Sequence, residues 1–84
     1  MTPTELKLVA IYKSPTVQLA EVSRRYLGMD ADWASRQSKK NLLPFTTFRL
    51  HEPKGPLMVT TKDLAAFIDA RHDTAEKAWK NSQT

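Results

Sequence analysis

The chain has 84 residues, 40% hydrophobic and 26% charged, which suits one folded domain with a modest core rather than a disordered segment. Its longest apolar run, Leu8 to Tyr12, is far too short to span a membrane, and no basic stretch followed by an apolar core marks a signal peptide, so the cytoplasm is the expected compartment. Without cysteine it has no disulfides or thiolate metal sites, and its net charge of +4 falls entirely within residues 13–60.

At the N-terminus, Thr2-Pro3-Thr4-Glu5 combines a capping Thr, Pro at the first helical position and Glu at the third. This predicts a helix from Pro3 to about Tyr12. Leu6, Val9 and Ala10 fall on one face, and Leu8, Ile11 and Tyr12 on another. Apolar residues on two faces need two burial partners. Either Leu8 to Tyr12 is instead a buried strand, or Leu8, Ile11 and Tyr12 meet a second subunit. The helix is the expected outcome, with those three residues as a candidate dimer contact.

Lys13-Ser14-Pro15-Thr16 marks a turn, and Val17 to Leu19 suits a very short strand. A helix then runs from Leu19 to Leu27, where Leu19, Val22, Tyr26 and Leu27 form a core-facing stripe and Arg24 and Arg25 lie off it. Gly28 ends it, because glycine accepts the left-handed conformation without a steric penalty. A second helix starts almost at once, with Asp30 as its cap and Asp32 at the positive end of its dipole. It carries Trp33, Arg36, Lys39 and Lys40 and ends near Asn41, with Trp33 expected to fill the core. Two helices joined by so tight a glycine turn are the sequence form of a helix-turn-helix.

After Leu42-Leu43-Pro44 the pattern changes. Phe45 to Leu50 is rich in β-formers, with Thr46, Phe48 and Leu50 on one face. His51 to Pro56 is a loop punctuated by Pro and Gly, and Leu57 to Val59 returns as a second strand. The expected product is a hairpin, a wing with Lys54 at its tip. Thr60 or Thr61 then caps a third helix that buries Leu64, Phe67 and Ile68. The tail from Asp73 either extends this helix or begins another, since Asp73-Thr74-Ala75-Glu76 has the capping-box form, and Asn81 to Thr84 is expected to fray. The fold class is therefore α+β, mainly α. It is a winged helix-turn-helix over residues 1–84, with a two-stranded wing and flanking N- and C-terminal helices.

Enzymatic chemistry finds no support in these residues. His51 and His72 are the only histidines, and neither has a second ligand at metal-binding spacing. Two glycines are too few for a phosphate-cradling loop, and capping accounts for Asp30 and Asp32 without an acid pair. No catalytic residue, metal or cofactor is expected.

Binding chemistry is better supported. A basic centre between neutral ends suits contact with phosphates, and in this element order the second helix enters the major groove of duplex DNA. Ala31, Asp32, Ser35, Arg36, Lys39 and Lys40 are its outward positions. Arg36 is the candidate base reader, since its guanidinium pairs bidentately with guanine. Ser35 suits base or phosphate, and Lys39 and Lys40 suit phosphate. Lys54 would touch the neighbouring backbone or minor groove, with Arg24, Arg25 and Arg49 as secondary phosphate contacts. Asp32 would repel phosphate unless it caps or accepts from cytosine. Gln37 stands where an inner-face leucine would pack better.

Several short motifs add a resemblance: Leu8-Val9-Ala10 with Tyr12, Pro15-Thr16-Val17, Glu21-Val22, Tyr26-Leu27-Gly28, Leu43-Pro44, Phe48-Arg49-Leu50, Val59, Asp63-Leu64-Ala65 and Ile68-Asp69. Through them Val17 to Arg71 resembles the pyocin activator protein family of bacteria and their prophages. The layout is also similar to phage excisionases. The resemblance implies a transcriptional activator, or alternatively a recombination directionality factor that bends DNA for an integrase. The partners implied are double-stranded DNA, bound as a homodimer or cooperative array, with RNA polymerase or an integrase. Gln37 and the acidic entry Asp30-Ala31-Asp32 depart from the pattern. A reading from another class is an antirepressor-like interaction module acting through the apolar face near Leu8 and Tyr12.

Overall fold

Capping chemistry sets where the helices begin. The structure is a computed structural model that describes residues 1–83. Helix α1 spans Pro3–Tyr12, where the Thr2 hydroxyl accepts the Glu5 N–H at 3.1 Å and Pro3 occupies the first turn. Lys13, at φ 55, closes it by donating its N–H to the Val9 carbonyl. The buried-strand alternative for Leu8 to Tyr12 is not what forms. The inward face differs from the expected dimer contact: Leu8 is buried in the chain's own core, and Tyr12 is half-buried against Tyr26. Of Leu8, Ile11 and Tyr12, only Ile11 is exposed, and it shares the surface with Leu6.

Strand β1 covers Thr16–Gln18, one residue earlier than expected, and Leu19 opens α2 (Leu19–Val22) directly. The expected single α-helix to Leu27 widens instead into a π-helical turn over Ser23–Leu27. Gly28, at φ 67, then reverses the chain, and the Ser23 carbonyl accepts N–H groups from both Gly28 and Met29. Leu19, Val22 and Ser23 are buried, and the Ser23 hydroxyl is satisfied by the Ala20 carbonyl.

Helix α3 spans Ala31–Lys39, with the Asp30 carboxylate accepting the Trp33 N–H at 2.8 Å. Asn41 takes the left-handed conformation just beyond it, at φ 56. Ala34, not Trp33, is the residue buried against α2; Trp33 remains half exposed. A methyl group lets the two helices approach closely, and an indole at that contact would hold them apart.

Strand β2 is only Phe48–Arg49, a fraction of the expected Phe45 to Leu50. Phe45 leaves the strand to pack edge-on against Phe67, with ring centroids 5.6 Å apart, and Leu50 is exposed. Strand β3 (Leu57–Thr60) pairs antiparallel with β2 on one side and with β1 on the other. Val17 lies opposite Val59, and Phe48 opposite Met58. The result is a three-stranded sheet in the order β1-β3-β2, in which the short strand expected near Val17 joins the two strands of the hairpin.

Helix α4 runs unbroken through Thr61–Ser82. Thr60 caps it by accepting the Asp63 N–H, and Thr61 anchors it through two hydrogen bonds to the Pro15 carbonyl. Leu64 and Ala65 complete a core with Leu8, Val17, Leu19, Val22, Ala34 and Val59. Near its middle, α4 is tied to α1 by the Thr4 hydroxyl, which donates to Asp69 at 2.6 Å. No second helix starts at Asp73. The Thr74 hydroxyl bonds the Ala70 carbonyl within the helix, and Glu76 faces His72 and Lys80, so neither side chain serves a cap. Helix persists through Asn81 and Ser82, where fraying was expected; Thr84 lies outside the described residues. The outer half of α4 stretches the molecule to 52 × 27 × 17 Å. Among the described residues no helix is long and apolar enough to cross a membrane.

Candidate nucleic-acid interface

Burial of Ala34 and half-burial of Ser38 fix how α3 is turned about its axis. At roughly 100° per residue, Arg36 stands at the centre of the opposite face, flanked by Asp32, Lys39 and Lys40. All four are exposed, and Trp33 lies at one edge of the same face. The Ser38 hydroxyl meets that of Thr47, tying α3 to the segment that leads into β2.

The other edge of α3 faces the hairpin across an open cleft. Ser35 and Ala31, one turn apart, line it from the helix, and Arg49, Gly55 and Pro56 line it from the hairpin. Arg49 donates from Nε to the Gly55 carbonyl at 3.0 Å, so part of its guanidinium braces the loop. The Gly55 N–H in turn bonds the His51 carbonyl at 2.6 Å, and a Cβ at Gly55 would collide with that oxygen. Only glycine fits this close approach. Lys54, next to it, is exposed on the loop between β2 and β3.

Gln18 also lines the cleft, a residue that sequence reasoning passed over. It is exposed where β1 hands over to α2. The packing of α2 on α3 and the long-range pairing of β1 with β3 bring it to Ser35 and Arg49, so nothing local announces it.

Electrostatically the candidate residues divide into two groups. Among the described residues, the side chains of Arg36, Lys39, Lys40 and Lys54 make no hydrogen bond or ion pair. Arg24 and Arg25 instead share the Glu21 carboxylate, at 3.8 and 3.9 Å. Arg25 also donates to the Tyr12 hydroxyl at 3.2 Å and sits 5.9 Å from the centre of the Tyr12 ring. That hydroxyl raises the Arg25 pKa further. The Tyr12 and Tyr26 hydroxyls are 3.2 Å apart, and burial together with this contact pushes Tyr26 up to about 12. The structure thus brings Ser35, Arg36, Lys39, Lys40, Arg49 and Lys54 onto α3 and the hairpin, whereas Arg25 turns toward α1.

Ligand atoms of His72, Asp73 and Glu76 do come within 4.8 Å of one another, although the sequence spacing suggested no metal partner for His72. They lie on the outer half of α4, away from the cleft, and Glu76 is engaged by Lys80 at 3.1 Å.

A family model described as pyocin activator protein PrtN matches residues 4–75. The chain belongs to the PrtN family. The match takes in α1, the sheet, α3 and the hairpin, and continues into the outer half of α4. PrtN proteins form a regulatory family rather than an enzyme family. No curated protein and no solved structure matches the chain.

Proposed function

We propose that this PrtN-family chain is a transcriptional activator that binds specific duplex DNA, with α3 in the major groove and the β2–β3 hairpin as a wing. The observation that carries this reading is the face of α3. Three of its four charged residues are cations without partners among the described residues, and the hairpin that would follow the DNA backbone stands beside it. Unpaired exposed cations bind phosphate without first breaking an internal ion pair, and counterion release then drives association.

Each side chain has a role in this arrangement. Arg36, central on the outward face, reads guanine in the major groove. Lys39 and Lys40 neutralise phosphates along one strand. Ser35 and Gln18 reach a phosphate or base edge from the cleft, and Arg49 adds charge there while bracing the loop. Lys54 contacts the next backbone or minor groove, and Arg24 and Arg25 are peripheral. Asp32 disfavours phosphate near the helix start and suits the amino group of cytosine. RNA polymerase is the second partner class, and the nucleoid the place of action.

The test is selection of bound sites from a random duplex pool, followed by affinity measurements across a salt series. A shared motif should emerge, with log K falling linearly and steeply against log salt. Absence of any DNA retardation at low salt refutes the reading. The excisionase alternative has the same fold and separates by DNA bending on circularly permuted fragments. It has no observation of its own in its favour.

A further inference from the structure

From His72 to Ser82, every residue of α4 except Glu76 is exposed, and Trp79 shows 61% of its surface. This arm is about 16 Å of helix, mostly open to solvent. A helix that short is marginal in water on its own, and its stability normally comes from burying a face. The face is present. The stripe that buries Leu64 and half-buries Ile68 continues along the arm through Arg71, Ala75, Ala78 and Ser82, at alternating spacings of three and four, with Trp79 at its edge beside Ala78.

We infer that this stripe is the contact between two copies of the chain, paired antiparallel through the α4 arms with the two-fold axis at Ala75. Ala75, Ala78 and Ser82 are small enough for two helix backbones to approach closely, which suits an identical helix better than a bulky surface. Charge selects the direction. In a parallel pair Arg71 would face Arg71 across the seam. In the antiparallel pair it faces Trp79 of the second copy, a favourable cation–π partner. The arrangement is isologous, so it closes at two copies. A seam of this length stays below about 1,200 Å² in total, the low end for specific interfaces, so the pair is weak and concentration-dependent. It depends neither on DNA nor on the α1 residues first considered for a dimer contact.

The chain has no cysteine, so single cysteines report the geometry cleanly. Under mild oxidation without DNA, Ala75→Cys should form a disulfide-linked dimer. Ser82→Cys should not, because antiparallel pairing holds the two positions about 20 Å apart, beyond the roughly 4.4–6.8 Å that a disulfide spans. Trp79→Ala in the Ala75→Cys chain should slow cross-linking at least about tenfold, in proportion to a lost central aromatic contact. Far-ultraviolet circular dichroism, unchanged in each variant, confirms that all remain folded. Cross-linking by Ser82→Cys means parallel or unregistered pairing and overturns the inference. So does failure of Ala75→Cys to cross-link, or a rate indifferent to Trp79.

Discussion

Two basic clusters in the middle of the chain, Arg24–Arg25 and Arg36 to Lys40, look alike in sequence and differ in the folded molecule. The first is held internally. Glu21 serves both arginines, and Tyr12 takes a hydrogen bond from Arg25 and presents its ring to it. The second has no partner for any of its three cations among the described residues, and its one neighbouring acid, Asp32, bonds to none of them. A positive charge already satisfied gives up something when it moves to a phosphate. A solvated one gives up only water and counterions. On the proposed reading the difference favours the α3 cluster as the surface for a partner, while Arg25 is tied to Tyr12 of α1 and Arg24 to Glu21.

Substitutions test that division directly. Removing the central side chain of the open cluster should have the largest effect. Arg36→Ala is expected to weaken binding to a selected site by about 1–3 kcal/mol and relax preference at one base pair, measured by fluorescence anisotropy on site variants. Loss of the α3 cap in Asp30→Ala should lower the free energy of unfolding by about 1 kcal/mol, read from denaturant unfolding. At the hairpin, Lys54→Ala should weaken binding to all sequences alike and reduce the salt slope by about 1. By contrast, Arg24→Ala and Arg25→Ala should each change DNA affinity by less than about 0.5 kcal/mol, in line with surface charges away from an interface. A tenfold loss in either one would erase the distinction between the clusters.

The held cluster has a pH signature of its own. Tyr26 has a folded pKa pushed from 10.0 up to about 12, first by burial and then by its contact with Tyr12. Between those two values the folded chain holds the proton and the unfolded chain releases it. This stabilising contribution is therefore complete below pH 10 and is lost as the pH rises toward 12. Tyr26→Phe should flatten that part of the stability profile, and an unchanged profile would show that Tyr26 titrates normally.

Much of the fold could be read locally because capping and turn chemistry are local. Thr2, Asp30 and Thr60 each cap the helix that follows them, and Gly28 and Asn41 adopt the left-handed conformation where helices stop. What could not be read depended on packing. Helix α1 is apolar on two faces, and only its seat on α4 decides that Leu8 goes inward and Leu6 and Ile11 outward. Trp33 was expected in the core to fill the gap left by Gln37, but the closeness of α2 and α3 admits only Ala34. Phe45 had strand propensity, yet its ring is drawn to Phe67 and β2 shortens to two residues. The capping-box form at Asp73 misled because the same side chains serve equally well inside a continuous helix. At the candidate interface, the cations on α3 were legible from their spacing. Gln18 was not, because it joins them through tertiary packing of α2 on α3 and strand pairing across the chain.

The most direct test of the division between the clusters compares salt slopes of binding to one selected duplex for three chains: the unaltered protein, Arg36→Ala with Lys39→Ala, and Arg24→Ala with Arg25→Ala. The α3 double variant should lose about 1–2 from the slope, and the Arg24–Arg25 double variant should match the unaltered protein. If instead the Arg24–Arg25 variant loses slope and the α3 variant keeps it, α3 is not the surface that meets DNA.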